Sequence, residues 1–125
     1  MRLLLDSHIL IWLMEDDARL TAEMRAFIAG ATEVFASTAS IWELAIKASV
    51  GKLHLDVERL AGLLDAAGIG ELPITRQHAI AMASLPPLHR DPFDRLLVAQ
   101  AMSEPMRLLT ADPQLAAYSE LVMVL

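Results

Sequence analysis

Four acids stand out in an otherwise apolar-rich chain: Asp6, Glu43, Asp94 and Asp112. Carboxylates brought to one point cannot all stay ionised without cations, because like charges a few ångström apart raise one another's pKa. The chain has no cysteine, and His8, His54, His78 and His89 are scattered rather than paired at metal spacing. An oxygen-only donor set of this kind suits Mg²⁺ or Mn²⁺ rather than Zn²⁺. An ion held there would lower the pKa of a bound water and so make a nucleophile at neutral pH.

Each acid also has an ordinary reading. Asp6 interrupts Leu3-Leu4-Leu5 and Ile9-Leu10-Ile11-Trp12, where burial would be expensive without compensation. It can equally cap the helix that follows, as can Ser7. Glu43 lies in Ser40-Ile41-Trp42-Glu43-Leu44-Ala45-Ile46-Lys47, where an exposed pair with Lys47 at i, i+4 is the common alternative. Asp94 can be the acid of a capping box, although Asp91 has the better claim to the cap itself and leaves Asp94 free to point elsewhere. Asp112 precedes Pro113 and reads as an N-cap, a role it can combine with supporting a metal ligand.

The elements that must position these acids alternate in type, which argues an α/β fold. Arg2 to Leu5 reads as a buried strand, and Ser7 to Met14 as a short helix. Thr21 caps a second helix that stops at Gly30; Glu33 to Ala36 is the second strand. A third helix starts among Ser37 to Ser40, runs to about Val50 and closes at Gly51; Asp56 caps a fourth, Val57 to Ala67, ended by Gly68. Leu72-Pro73-Ile74 reads as a strand, and Thr75 opens a fifth helix reaching Ser84. Asp91-Pro92-Phe93-Asp94 starts a sixth helix that ends near Met102. Met106 to Leu109 is a strand, Asp112-Pro113 begins a seventh helix, and Leu121 to Val124 is the last strand. Helices between strands imply a mostly parallel sheet. Sites in such sheets form at the carboxyl ends of the strands, which is where Asp6 and Asp112 fall.

The bulk numbers narrow the classes. A chain of 125 residues fits one domain spanning 1–125, and 55% hydrophobic content excludes disorder. Absence of cysteine fits a reducing, cytoplasmic setting. The apolar run after Met1 is broken at Asp6 and again at Glu15-Asp16-Asp17, so neither a signal peptide nor a membrane span of about 20 apolar residues is expected. Net charge is −6, so attraction to a polyanion must come from bound cations and local bases, for which Lys47, Lys52, Arg90 and Arg95 are candidates. His54 and His78 read as surface or packing residues, while His89 lies close enough to the Asp91–Asp94 segment to contact a phosphate. Trp12 and Trp42 read as core or interface residues rather than base-stacking platforms. Ile9, Leu13, Leu20, Phe27, Ile80 and Met82 are more apolar side chains than one small domain is expected to hide, which points to self-association or a partner helix in a groove.

Four segments together resemble the PIN domains. Leu4-Leu5-Asp6-Ser7-His8-Ile9-Leu10-Ile11-Trp12 resembles their opening, and Ser40 to Lys47 their glutamate segment. Asp91-Pro92-Phe93-Asp94-Arg95-Leu96-Leu97-Val98-Ala99-Gln100-Ala101 is similar to their third acidic motif, and Leu109-Thr110-Ala111-Asp112 to the fourth. The order holds over nearly the whole chain, and the similarity is greatest to the VapC-type toxins of bacterial toxin–antitoxin pairs. That resemblance implies a Rossmann-like α/β/α three-layer sandwich around a central, mostly parallel sheet. It implies a Mg²⁺- or Mn²⁺-dependent endoribonuclease, a cognate antitoxin that occludes the site, and a homodimer. Carried across, Asp6, Glu43, Asp94 and Asp112 are both the catalytic and the metal-site acids, with Ser7 in support, bonding a ligand water or capping the first helix. Lys47, Arg90 and Arg95 are the expected substrate contacts. In-line hydrolysis would leave a 5′-phosphate.

Two other classes compete. An aspartyl-nucleophile phosphotransfer domain also places an acid after the first strand, but lacks here the paired acids of a receiver, and His8 stands where haloacid-type phosphatases need a second Asp. A non-catalytic PIN-like interaction module would have no need to keep all four acids.

Overall fold

A computed structural model describes residues 1–125. The strands are β1 (Arg2–Leu5), β2 (Glu33–Ser37), β3 (Gly70–Leu72), β4 (Arg107–Thr110) and β5 (Val122–Val124). The helices are α1 (Ser7–Met14), α2 (Ala22–Ala29), α3 (Thr38–Ser49), α4 (Val57–Ala66), α5 (Arg76–Ala81) and α6 (Pro92–Ser103), with 3₁₀ turns at Met82–Ser84 and Pro113–Ala117.

The five strands form one sheet in the order β3-β2-β1-β4-β5, and all four pairings are parallel. β1 is central: Leu4 lies beside Phe35 of β2 on one side and Leu108 of β4 on the other. Both faces of the sheet are covered. Leu3, Leu5 and Leu109 point into a core shared with Ile9, Leu10, Met24, Leu44 and Leu60 from α1 to α4. Leu4 and Leu108 point the other way, onto Leu97, Val98 and Ala101 of α6 and onto Leu115. Alternate leucines of the same strands therefore feed opposite cores, which makes the three-layer α/β/α sandwich expected from the sequence.

Several boundaries differ from expectation. The third strand is Gly70–Leu72, two residues earlier than Leu72-Pro73-Ile74, since Pro73 has no N–H for a ladder. Gly70 pairs with Phe35, whose ring carbons lie 3.1 Å from where a Cβ would stand, so no larger residue fits without moving the ring. The fifth helix gives way to a 3₁₀ turn after Ala81, and the segment after Pro113 is a 3₁₀ turn rather than an α-helix. Asp56 and Thr75 cap their helices, and Gly51 and Gly68 adopt the left-handed φ that ends α3 and α4.

His78, expected as a surface or packing residue, is instead the hub of a buried polar network. Its Nδ1 accepts from the Thr75 backbone N–H (3.1 Å) and faces Gln100 Nε2 (3.3 Å), while Nε2 meets Glu104. Gln100, wholly buried on α6, also accepts from the Ser37 hydroxyl at the end of β2. Ser37 in turn caps α3 through the Ala39 N–H. This chain ties α3, carrier of Glu43, to α6, carrier of Asp94. Buried polar groups left unpaired cost the full desolvation penalty. Gln100→Leu is therefore expected to lower stability by about 2–3 kcal/mol, read from urea unfolding as a lower midpoint at unchanged slope.

Candidate active site

Strand order reverses at β1: the chain leaves it toward β2 and later returns to its other side as β4. A crevice outside the carboxyl ends at such a switch point is where open parallel sheets bind ligands. Asp6 follows the last residue of β1, and Thr110 is the last residue of β4. A cleft of about 260 Å³ opens there, lined by Asp6, His8, Trp12, Asp94, Ala111 and Asp112. The largest hollow, about 510 Å³, lies among the beginnings of β2 and β3 and has Glu33 as its one charged residue, so it does not match the chemistry of the acids.

Asp6 occupies the N-cap position of α1, yet its side chain makes no capping bond. It is only 3% exposed. Oδ2 accepts from the Thr110 hydroxyl at 2.6 Å, and Oδ1 has no partner at all. Burial pushes its carboxyl above the ordinary range; the Thr110 hydroxyl opposes this, and the nearby Glu43 charge adds to it.

Glu43 does not line the cleft. It is buried behind it, with Oε1 accepting from Ser7 Oγ at 2.7 Å and Oε2 paired to Lys47 Nζ at 3.0 Å. The i, i+4 pair exists, but around a buried carboxylate rather than on the surface. Ser7, expected to bond a water or cap α1, bonds Glu43 instead. The bond to Glu43 holds the Lys47 amine above its ordinary pKa.

Asp91 takes the cap of α6, accepting from the N–H groups of Phe93 and Asp94, and this frees the Asp94 side chain. Burial, then the charges of Asp6, Asp91 and Glu43, push Asp94 up to about 7, with His89 opposing. Asp112 does two things at once: Oδ1 caps the turn at Pro113 through the Gln114 N–H, and Oδ2 lies 3.1 Å from His89 Nε2.

Two participants were underread in the sequence. Thr110 is one, a hydroxyl closing an apolar strand and pinning Asp6. His89 is the other. Its Nδ1 accepts from the Asp91 backbone N–H (3.0 Å), so Nε2 carries the proton, aimed at Asp112 and, at 3.7 Å, at Asp94. His89, Asp94 and Asp112 form the tightest group of potential metal-binding side chains. Of the basic residues, Lys47 is engaged by Glu43, Arg90 is exposed, and Arg95 donates to the Leu85 carbonyl (3.2 Å) rather than to the acids.

The PIN domain family matches residues 3–121. The chain belongs to the PIN domain family. Among curated relatives of this PIN domain, Ribonuclease VapC22 of Mycobacterium tuberculosis is 32% identical over 119 residues, covering 92% of this chain and 90% of that protein. The fold is shared with VapBC2 from Rickettsia felis bound to a promoter DNA fragment, at TM-score 0.72 and 15% identity over 100% of this chain and 98% of the other. A toxin–antitoxin complex from Klebsiella pneumoniae superposes at TM-score 0.69 and 19% identity, covering 97% of this chain and 95% of its own.

The residues of this PIN domain fit a divalent cation. A carboxylate oxygen buried without any partner is an unmet electrostatic demand, and Asp94 beside it ionises only near neutrality. Because the folded pKa of Asp94 lies far above its unfolded value of 3.8, the folded state binds a proton that the unfolded chain releases as pH rises from about 4 to 7. Stability of the metal-free protein is thus fullest at low pH and falls as pH climbs through 7. Melting in EDTA is expected to give a lower Tm at pH 7.5 than at pH 5. Asp94→Asn should remove most of that difference, raising Tm at pH 7.5 by roughly 4 °C per kcal/mol of relieved repulsion.

Proposed function

We propose that this PIN domain is a divalent-metal-dependent endoribonuclease and the toxin of a toxin–antitoxin pair. The observation that carries the reading is the buried Asp6 carboxylate, with a free oxygen, sharing one cleft with Asp94 and Asp112. The names of the similar proteins, a VapC ribonuclease and toxin–antitoxin complexes, point the same way. No helix is long and apolar enough to cross a membrane, and we place the enzyme in the cytoplasm with its RNA.

In this reading Asp6, Asp94 and Asp112 hold one or two Mg²⁺ or Mn²⁺ ions, with Glu43 completing the charge behind them. The ion supplies, when bound, Lewis acidity toward a water and toward the phosphate oxygens. The protein's own groups do the rest. Thr110 fixes which oxygen of Asp6 faces the cleft. Ser7 and Lys47 clamp both oxygens of Glu43. His89 orients Asp112 from the side opposite its capping bond. Arg90 is free to meet the RNA backbone, whereas Arg95 serves the loop at Leu85.

The distribution of apolar surface supports a homodimer. Ile9 and Leu20 are buried in the core, and Leu13, Phe27 and Met82 are half-buried, so the side chains counted as surplus from the sequence are mostly accommodated. The exposed apolar face lies elsewhere. Trp42 and Ile46 of α3 and Val50, its C-cap, form an i, i+4 stripe, exposed by 55%, 42% and 60%. Trp42 stands edge-on to Phe93, and Ile80 of α5 is 65% exposed. Exposed apolar side chains grouped in this way favour an interface. The antitoxin would cover the acidic cleft.

Two outcomes are expected. Cleavage of a labelled RNA should require Mn²⁺ or Mg²⁺, stop in EDTA and leave 5′-phosphate ends. Asp6→Ala and Asp94→Asn should each lower the rate by at least about 100-fold; wild-type rates in either variant would sink the assignment. Sedimentation at micromolar concentration should give a dimer, and Ile46→Glu combined with Ile80→Glu a monomer.

A further inference from the structure

Beside the acidic cleft lies a second cavity of about 390 Å³, walled by α1 and α3, whose lining includes His8, Trp12, Arg19, Lys47 and Lys52. The two hollows share His8 and Trp12 in their walls and so lie side by side. Three of the chain's ten lysines and arginines line this one cavity, and Glu15 is its one acid. Lys52 has no ion-pair partner, while Lys47 is paired to Glu43.

Arg19 is held there in a fixed plane. Nε and Nη2 donate to the two oxygens of Asp17 at 3.1 and 2.7 Å, and the Arg19 backbone N–H donates to Asp17 Oδ1 at 2.9 Å. Asp17 is itself anchored, its N–H bonding the carbonyl of Trp12 at 2.9 Å. The guanidinium carbon sits 5.3 Å over the Trp12 ring, and the Arg19 side chain remains 68% exposed. An ion pair this exposed contributes little to stability, so its rigidity asks for another reason. A planar cation backed by an indole, with its outer face open, is the kind of surface on which unpaired bases stack. The sequence reading of Trp12 as core or interface holds only for one side of the ring: the other backs Arg19.

We infer that the Trp12–Arg19 pair is a base-stacking platform for the nucleotide next to the phosphate in the acidic cleft, with Lys52 taking the adjoining backbone phosphate of a single-stranded RNA. This rests on the nuclease reading for the identity of the substrate. Stacking of this kind tolerates any base but requires one.

The test uses the full chain in EDTA at low ionic strength, with fluorescence anisotropy of a labelled single-stranded RNA ten-mer and of an abasic ribose-phosphate ten-mer carrying the same charge. The RNA should bind at least about five-fold tighter than the abasic strand. Arg19→Lys keeps the charge and removes the plane; it should erase that preference as fully as Arg19→Ala. Equal binding of the two strands by wild type, or an Arg19→Lys variant that keeps the preference, overturns the platform. Metal-dependent cleavage is scored separately. Cleavage without base preference in binding defeats the platform and leaves the nuclease standing, while base-dependent binding without cleavage does the reverse.

Discussion

A negative charge in a nearly dry place is the constraint on which the architecture turns. Asp6 is placed between a strand of three leucines and an apolar helix, and the only bond offered to it comes from a hydroxyl on the neighbouring strand. Burial raises the pKa of such a group, and that of Asp94 across the cleft as well. Everything near them is arranged to hold the acids together in spite of this. Asp91 takes the capping duty that would otherwise engage Asp94, and Ser7 and Lys47 confine Glu43. That strain is tolerable because leucines on both faces of β1 and β4 make the sheet edge hard to deform.

Position in a parallel sheet explains why four acids so distant in the chain can meet. Side chains at the ends of β1 and β4 are neighbours because these strands pair in register, Leu5 beside Leu109. Glu43 and Asp94 arrive on helices instead, and their relative placement depends on the buried chain from Ser37 through Gln100 to His78. The site is thus supported in two independent ways: by the backbone ladder beneath two of its acids, and by a side-chain network between the carriers of the other two.

Much of this is legible in the sequence. Runs such as Leu3-Leu4-Leu5 and caps such as Thr21, Asp56 and Asp91 identify elements because local physics dominates there, and the four acids are conspicuous against apolar neighbours. What escaped depends on contacts across the chain. His78 looks ordinary until Gln100 and Glu104, more than twenty residues away, close around it. Arg95 reads as a site base by adjacency to Asp94, yet one step along a helix turns a side chain by about 100°, and it serves the Leu85 loop. Arg19 gives no sign in the sequence, because its role comes from lying over Trp12. The exposed apolar residues are also not the ones the sequence singles out: helical stripes give the spacing of apolar residues, but not which stripe the core will use.

The bond between Asp6 and Thr110 spans 104 residues, joining nearly the first strand to be made to one of the last. During synthesis the central strand waits exposed on one flank until β4 leaves the ribosome, and contacts of such long range close slowly. The nascent chain therefore holds no finished cleft until β4 and the segment to Asp112 have emerged. The order of the strands thus keeps the acids apart while the chain is being made and brings them together only when β4 docks beside β1.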